Sequence, residues 1–432
     1  YLVTGLYDIE DVRADTTIVV TNRAPTGSYR GAGRPEAALA IERAVDAFAV
    51  AAGMDPAEVR RRNFIGSLPY RTVTGALYDS GEYRGALDLA LDLVDEKAVR
   101  AEQLRRRQLR LDPIGLGIGA FVERAGGAID TGEWGRVSVN PDGTVVVATG
   151  SVASGQGHET VWRRLVASTL AVPVDQVRFV AGDTGEVAEG VGTFASRSAQ
   201  VGASAAWRAA VAVRERARAI ASELLEAAAA DLVLAEGKFG VAGAPGSEVS
   251  WAEVAAAAQE QGVELVTEEM YIPHAQTFPY GVHIAVVEVE LATGAVHLRN
   301  LVAVDDCGEV LDPMIVEGQL HGSLMQGLGQ ALLEEIRYDD DAQPLTSTLM
   351  DYLVPSAAMP FPLTTGRLYS AAPSNPLGVK GTGEAGCIGG PAAVLNAVHD
   401  ALSPWGVAKL NLPLTPNKVW SAIRKAATGA QP

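Results

Sequence analysis

The chain has 432 residues, 48% hydrophobic and 20% charged, with a formal net charge of −17. This balance fits a globular protein with more than one core, and its acidity disfavours nucleic acid, whose phosphates would be repelled. Cys307 and Cys387 are the only cysteines and no CxxC pair exists, which excludes a zinc or iron–sulfur site built from this chain alone.

Free core thiols in a reducing cytoplasm are the expected state of both cysteines. No apolar run reaches the roughly 18 residues of a membrane span, and no basic-then-apolar leader is present. The chain starts at Tyr1 without a Met, as a fragment, a processed product or the ordered part of a longer chain would.

Residues 1–24 read as strand-like, because Thr16-Thr17-Ile18-Val19-Val20 is rich in β-branched side chains. A loop from Pro25 to Gly33 leads to a helix opened by Pro35 and running to Ala51. Asp55-Pro56 starts a second helix to about Asn63. Residues 85–110 are helical and end in a basic stretch, Arg105 to Arg110, read as a solvated face or linker. Residues 112–150 read as β-structure. In them, Gly135 to Val139 and Thr144 to Val147 flank Pro141-Asp142-Gly143, the signature of a hairpin.

A helix over 158–171 and a strand over Val177–Val180 follow, then an alanine-rich helix over 199–230. Residues 282–304 alternate as strands around Ala292-Thr293-Gly294, Gln319 to Glu335 form a helix with glycines on one face, and Pro391 to Leu402 a closing helix. Helices and strands in blocks predict an α+β fold, with a domain over 1–111 and a second over 112–432, the two free to share strands.

Four loops have small residues, polar side chains and few charges: Gly150 to Glu159, Gly192 to Ser198, Asp306-Cys307-Gly308 with Gly318-Gln319-Leu320-His321-Gly322, and Lys380 to Gly386. Singly, each is an ordinary tight turn. Together, with at least three leading into helices, they suit a long ligand carrying phosphates, because free N–H groups at helix starts attract anions. No GxxxxGK[ST] is present, Gly115-Leu116-Gly117-Ile118-Gly119 lacks dinucleotide spacing, the histidines lack HExxH spacing and no GxSxG occurs.

At these loops the sequence resembles the molybdenum hydroxylases, the xanthine dehydrogenase, aldehyde oxidase and carbon monoxide dehydrogenase-like large subunits. Thr26-Gly27-Ser28-Tyr29-Arg30-Gly31-Ala32-Gly33-Arg34-Pro35-Glu36 is similar to the family's active-site loop, and Asp55 to Asn63 to the segment after it. Gly155-Gln156-Gly157-His158-Glu159-Thr160 and Gly192-Thr193 to Arg197-Ser198 resemble its pterin loops. Gly318-Gln319 to Leu332 and Asn375 to Glu384 complete the family order.

The resemblance implies a two-domain molybdopterin-binding fold and a molybdenum–molybdopterin cytosine dinucleotide, with almost no metal ligand from the protein. It places Gln156, Gly157, His158, Thr193, Ser196, Ser198, Asp306, Cys307, Gln319, Lys380, Gly381 and Gly383 along the cofactor. Glu384 matches the base, suited to taking a proton as water-derived oxygen attacks an electron-poor carbon, and Arg30 an arginine that faces substrate. The implied substrate is an aldehyde or N-heterocycle. Electrons would leave through a 2Fe-2S subunit and an FAD subunit in a dimer of hetero-oligomers.

Two departures qualify this. The family's preceding domain, with its own glycine-rich loop and a glutamine near the metal, has no counterpart here and is expected on another chain or another segment. Copper-type carbon monoxide dehydrogenases carry Cys where Gly31 stands, so a copper-free relative is expected. The alternatives are a carbon monoxide dehydrogenase-like subunit without copper and a non-catalytic cofactor-binding subunit.

Overall fold

A computed structural model describes residues 1–127, 130–407 and 409–428. Gly33 and Gly53, both with left-handed backbone, bracket helix α1, Arg34–Ala52. The Asp55 side chain accepts the Glu58 N–H and Pro56 fills the first turn of α2, Pro56–Asn63. A small ribbon, β1 Tyr70–Arg71 and β2 Leu77–Tyr78, precedes α3, Tyr83–Val94, and α4, Glu96–Leu109. The single helix expected over 85–110 is thus two, divided at Asp95, whose φ is +50°. In the basic stretch, expected to be solvated, Arg105 is exposed and pairs with Glu102, whereas Arg106 turns inward to Glu288 and the Asp112 O as well as Glu102.

Then come β3 Ile114–Val122, β4 Glu133–Val139, β5 Val145–Thr149, α5 His158–Leu170 and β6 Val177–Ala181. The predicted hairpin is present, with Val137 opposite Val147; residues 128 and 129 of the expected β-region lie outside the described residues. The alanine-rich helix opens with a π-helical turn, Ser198–Ala203, before α6, Ser204–Leu224. A three-stranded sheet follows: β7 Leu232–Ala235, β8 Lys238–Val241 and β9 Glu248–Ser250. A Ser250/Glu253 capping box starts α7, Trp251–Glu260. The rest is β10 Val266–Tyr271, β11 Tyr280–Val289, β12 Val296–Asp306, α8 Pro313–Leu332, β13 Leu363–Arg367, α9 Ala385–Leu402 and α10 Pro416–Thr428.

Two four-stranded sheets organise these elements, in the orders β10-β4-β5-β6 and β13-β12-β11-β3. Each mixes antiparallel pairs with one parallel edge pair, β5/β6 and β12/β13. The first packs Val137, Val147 and Val177 against Trp162 of α5, Ala210 of α6 and Val254 of α7. The second is covered on both faces. Leu116, Ile118, Val282 and Val304 meet Leu87 of α3 and Phe64, a core drawn from both sides of residue 112. The opposite face buries Ala285, Leu301 and Ala303 under Leu324 and Leu328 of α8 and Val394 and Val398 of α9.

The glycines of β3 explain how closely α9 sits. Side chains alternate along a strand, so Gly115, Gly117 and Gly119 share the face opposite Leu116 and Ile118. A Cβ at Gly117 would lie 2.0 Å from the Ala397 backbone N and 2.2 Å from the Ala393 O. At Gly115 and Gly119 it would lie 2.0 Å from the Ala397 O and 2.3 Å from the Gly389 O. The strand therefore touches the α9 backbone directly, and this sets how closely the body of α9 lies on the sheet.

One expectation fails. Residues 16–20 form no strand, and Ile18, Val19 and Val20 are 89%, 71% and 95% exposed. The first 24 residues make only an isolated bridge, Tyr7 with Phe64. A β-branched run becomes a strand only beside a partner strand, and within the described chain it has none.

Candidate active site

The predicted site residues converge on one cavity of about 530 Å3. Arg30, Gln156, His158, Thr193, Ser196, Ser198 and Cys307 line it, with Gln319, Lys380, Gly381, Gly383 and Glu384. Gly157 and Asp306 stand just behind the lining. Gly157 caps α5 with φ +72°, and a Cβ there would lie 2.5 Å from Ile315 Cδ1.

Four helical segments begin at this cavity: α5 after Gly157, the π turn after Arg197, α8 after Asp312 and α9 after Glu384. The first N–H groups of a helix lack intrahelical partners and carry the positive end of its dipole. Four such ends around one space favour an anionic ligand. Among the described residues no group of three or more His, Cys, Asp or Glu side chains is placed to hold a metal ion. A metal here would need ligands brought by its own carrier, which fits a pterin-held molybdenum. The buried thiols are poor soft-metal ligands, since burial pushes Cys307 and Cys387 up to about 12.

Glu384 stands at the N-cap of α9 with its side chain 13% exposed. One carboxylate oxygen accepts the Gly31 N–H at 2.9 Å and the other the Ser196 hydroxyl at 2.8 Å. Arg34 Nη1 lies 4.0 Å away. Burial alone would push this carboxyl up. The neighbouring Glu123 carboxyl, the Ser196 hydroxyl and the Gly31 N–H, with the Arg34 charge, outweigh burial and hold it below the usual carboxylate range. Glu384 is therefore held in its ionised form, with both oxygens turned to donors on the cavity wall. Ser196 reaches it through a strained turn in which Ala195 and Ser196 both have φ +50°. Gly381 packs against that turn so tightly that a Cβ would lie 2.2 Å from the Ser196 O.

Arg30 donates from Nε to the Gly383 O at 2.6 Å and from its two Nη atoms to the Gln326 and Gln319 amide oxygens at 3.3 Å each. Its fork is thereby fixed on the cavity wall beside Glu384. His158 is buried, with Nδ1 2.9 Å from the Ser151 O. Burial lowers its pKa, so it is a neutral ring. The Ser198 hydroxyl donates to Thr193 Oγ1 at 3.1 Å.

Lys380 is placed differently from a simple phosphate ligand. Its ammonium is buried against Asp306 at 3.2 Å, the Ser370 hydroxyl at 2.9 Å and the Ser80 O at 3.4 Å. Asp306 also accepts the Gly308 N–H at 3.0 Å. The pair ties the loops at 306–308 and 380–384 together from behind the cavity. The loop is legible in the sequence, but nothing there says where the ammonium points. Likewise, the buried Glu133 holds the 150 and 190 loops together through the Ser151 hydroxyl, the Val191 and Gly192 N–H groups and Arg197.

Three further residues border the site without having been expected: Arg34, Gln326 and Glu123. Glu123 follows the last residue of β3, is 0% exposed, and neither of its carboxyl oxygens has a hydrogen-bond partner. The signal was a carboxylate directly after a glycine-rich apolar strand.

Comparison with known proteins gives the same answer as the geometry. Two molybdopterin cofactor-binding domain models match residues 1–64 and 89–359. The carbon monoxide dehydrogenase large chain of Hydrogenophaga pseudoflava is 35% identical over 98% of this chain and 55% of its own. The nicotine 6-hydroxylase large subunit of Paenarthrobacter nicotinovorans is 34% identical over 98% of this chain and 54% of its own. Quinoline 2-oxidoreductase from Pseudomonas putida 86 superposes with a TM-score of 0.93 at 36% identity, over 98% of this chain and 56% of that one. The chain thus spans about half the length of the curated relatives it matches. With its motifs, fold and cavity in agreement, the chain belongs to the molybdopterin cofactor-binding large subunits of the xanthine dehydrogenase and carbon monoxide dehydrogenase family.

Proposed function

We propose that this chain carries the pterin- and substrate-facing part of a molybdenum hydroxylase that oxidises an aldehyde or an N-heterocycle with water as the oxygen source. The observation that carries this is Glu384, an anion at the head of α9, on a wall shared with four helix starts. Gln156, Ser196, Ser198 and Gln319 would hold the dinucleotide, whose cytosine form suits the several anion-friendly loops. When bound, the molybdenum–pterin group supplies the two-electron oxidation and activates water.

The chain's residues then manage the proton and the substrate. Glu384 takes the proton released as water-derived oxygen adds to the substrate carbon. Gly31 and Ser196 aim the carboxylate, so little reorientation is needed at that moment. Arg30 presents a fixed cation that orients a carbonyl oxygen or ring nitrogen. Lys380 and Asp306 act through the loop rather than by direct contact. With no cysteine cluster, electrons leave through a partner, expected to be a 2Fe-2S subunit followed by an FAD subunit. A further chain or segment supplies the rest of the cavity wall.

The test is a panel of aldehydes and N-heterocycles offered to the native complex in isotopically labelled water, with an artificial electron acceptor. At least one should be oxidised, with the product oxygen taken from water. Label arriving from dioxygen would reject the proposal. The same preparation should lack stoichiometric copper, because Gly31 offers no thiolate. A Cβ there would lie 2.5 Å from Pro35 Cγ. Stoichiometric copper would overturn the reading of that loop.

A further inference from the structure

We infer that Glu123 is a neutral carboxylic acid that donates its proton to the Glu384 carboxylate, making it a positioning residue for the base. The inference deepens the proposed role of Glu384 and rests on it.

Glu123 is pinned by its backbone N–H, which donates to the Pro279 O at 2.8 Å, and its carboxyl is wholly buried. As an anion it would have only acceptor atoms, and both are without a partner. The nearby donors are committed elsewhere. The Ser196 hydroxyl lies within reach of both carboxyls but has a single proton, which goes to Glu384 at 2.8 Å, and the Gly31 N–H goes there too. Arg34 donates to the Gly31 O and the Arg124 O. A buried, ionised carboxylate with no donor is heavily penalised.

A proton on Glu123 removes the penalty, because the hydroxyl then has an acceptor among its neighbours, the Glu384 carboxylate. Charge counting agrees. The titratable and charged groups facing Glu123 are Glu384 and Arg34, two carboxyls and one cation. One shared proton makes the set neutral, whereas two adjacent carboxylates would repel. Burial first and the Glu384 charge second push the Glu123 carboxyl far above its ordinary range, while Glu384 is held below its own. Divergent environments of this kind assign one carboxyl as the acid and the other as the ready base. In turnover the pair passes from one proton to two: Glu123 keeps its own, and the proton from the reaction arrives on Glu384.

The test uses the native complex and two variants. Glu123→Gln keeps a neutral donor of the same length, and Glu123→Leu removes it. The infrared spectrum of wild type minus Glu123→Gln at neutral pH should show the carbonyl band of a protonated carboxylic acid, a readout independent of turnover. In kcat/KM against pH, Glu384 must be ionised, so activity rises through its pKa. Losing a donor raises that pKa, so the acid limb of Glu123→Leu should move to higher pH, while Glu123→Gln should keep the wild-type limb.

A difference spectrum without the acid band overturns the inference, and it does so even if Glu123→Leu fails to fold. An unmoved acid limb in a folded Glu123→Leu overturns it as well. An active Glu384→Gln would instead reject the base itself, leaving the infrared result intact, so the two failures are distinguishable.

Discussion

Glu384→Gln should lower kcat by roughly 10²–10⁴-fold, the contribution typical of a positioned base. The amide oxygen can still accept the Gly31 N–H, and the amide nitrogen can face Ser196 Oγ with that hydroxyl rotated to accept. Loop geometry should therefore survive while proton acceptance is lost. Molybdenum content should stay near wild type, because the four helix starts and their polar loops remain. The deficit should appear in reduction by substrate and leave reoxidation by an artificial acceptor unchanged.

Lys380→Met is the control. It leaves Asp306 buried without its cation, a change that typically costs about 3–5 kcal/mol. It should loosen the loop and lower molybdenum occupancy while sparing the rate per molybdenum. Equal reduction rates for wild type and Glu384→Gln at full occupancy would remove Glu384 from the base role.

Gly117→Val should produce the largest loss of stability among single substitutions on β3. Its Cβ would enter the α9 backbone at 2.0 Å from the Ala397 N and 2.2 Å from the Ala393 O. Overpacking usually costs about 1–3 kcal/mol, and here the obstacles are main-chain atoms that no rotamer change can clear. A loss of about 3 kcal/mol or more is expected, read as a lower urea midpoint. Because α9 carries Glu384 at its head, molybdenum retention should fall with it. Gly66→Val is the matched control: Gly66 has nothing within 4 Å of its Cβ position and an ordinary φ, so a change within about 0.5 kcal/mol is expected. Equal midpoints for the two variants would mean that β3 and α9 are not in backbone contact.

Local chemistry made much of this molecule readable in advance. Pro35, Asp55 and the Asp142-Gly143 turn announced α1, α2 and the β4/β5 hairpin, because caps and turns act over a few residues. The glycine loops were readable as a group, since exposed N–H groups before helices imply an anion whatever the tertiary fold. Other features depended on contacts between distant segments. Thr16 to Val20 has strand chemistry but no strand beside it. The start of α9 was missed because Pro391 reads as a first-turn proline, whereas the helix begins six residues earlier, at Ala385, seated on the glycines of β3. Glu123 gave little signal because Glu is normally exposed, and its meaning appears only when β3 and α9 bring it to Glu384. The Lys380 loop was identifiable, but the inward turn of its ammonium was decided by Asp306, 74 residues earlier in the chain.

This cavity is expected to hold a molybdenum–pterin dinucleotide. The most direct measurement is metal and nucleotide analysis of the complex purified natively from molybdenum-replete cells. Molybdenum stoichiometric with this chain and release of a cytosine nucleotide on acid hydrolysis are expected, with both reduced together in Lys380→Met. A folded, intact complex carrying neither molybdenum nor pterin would contradict it.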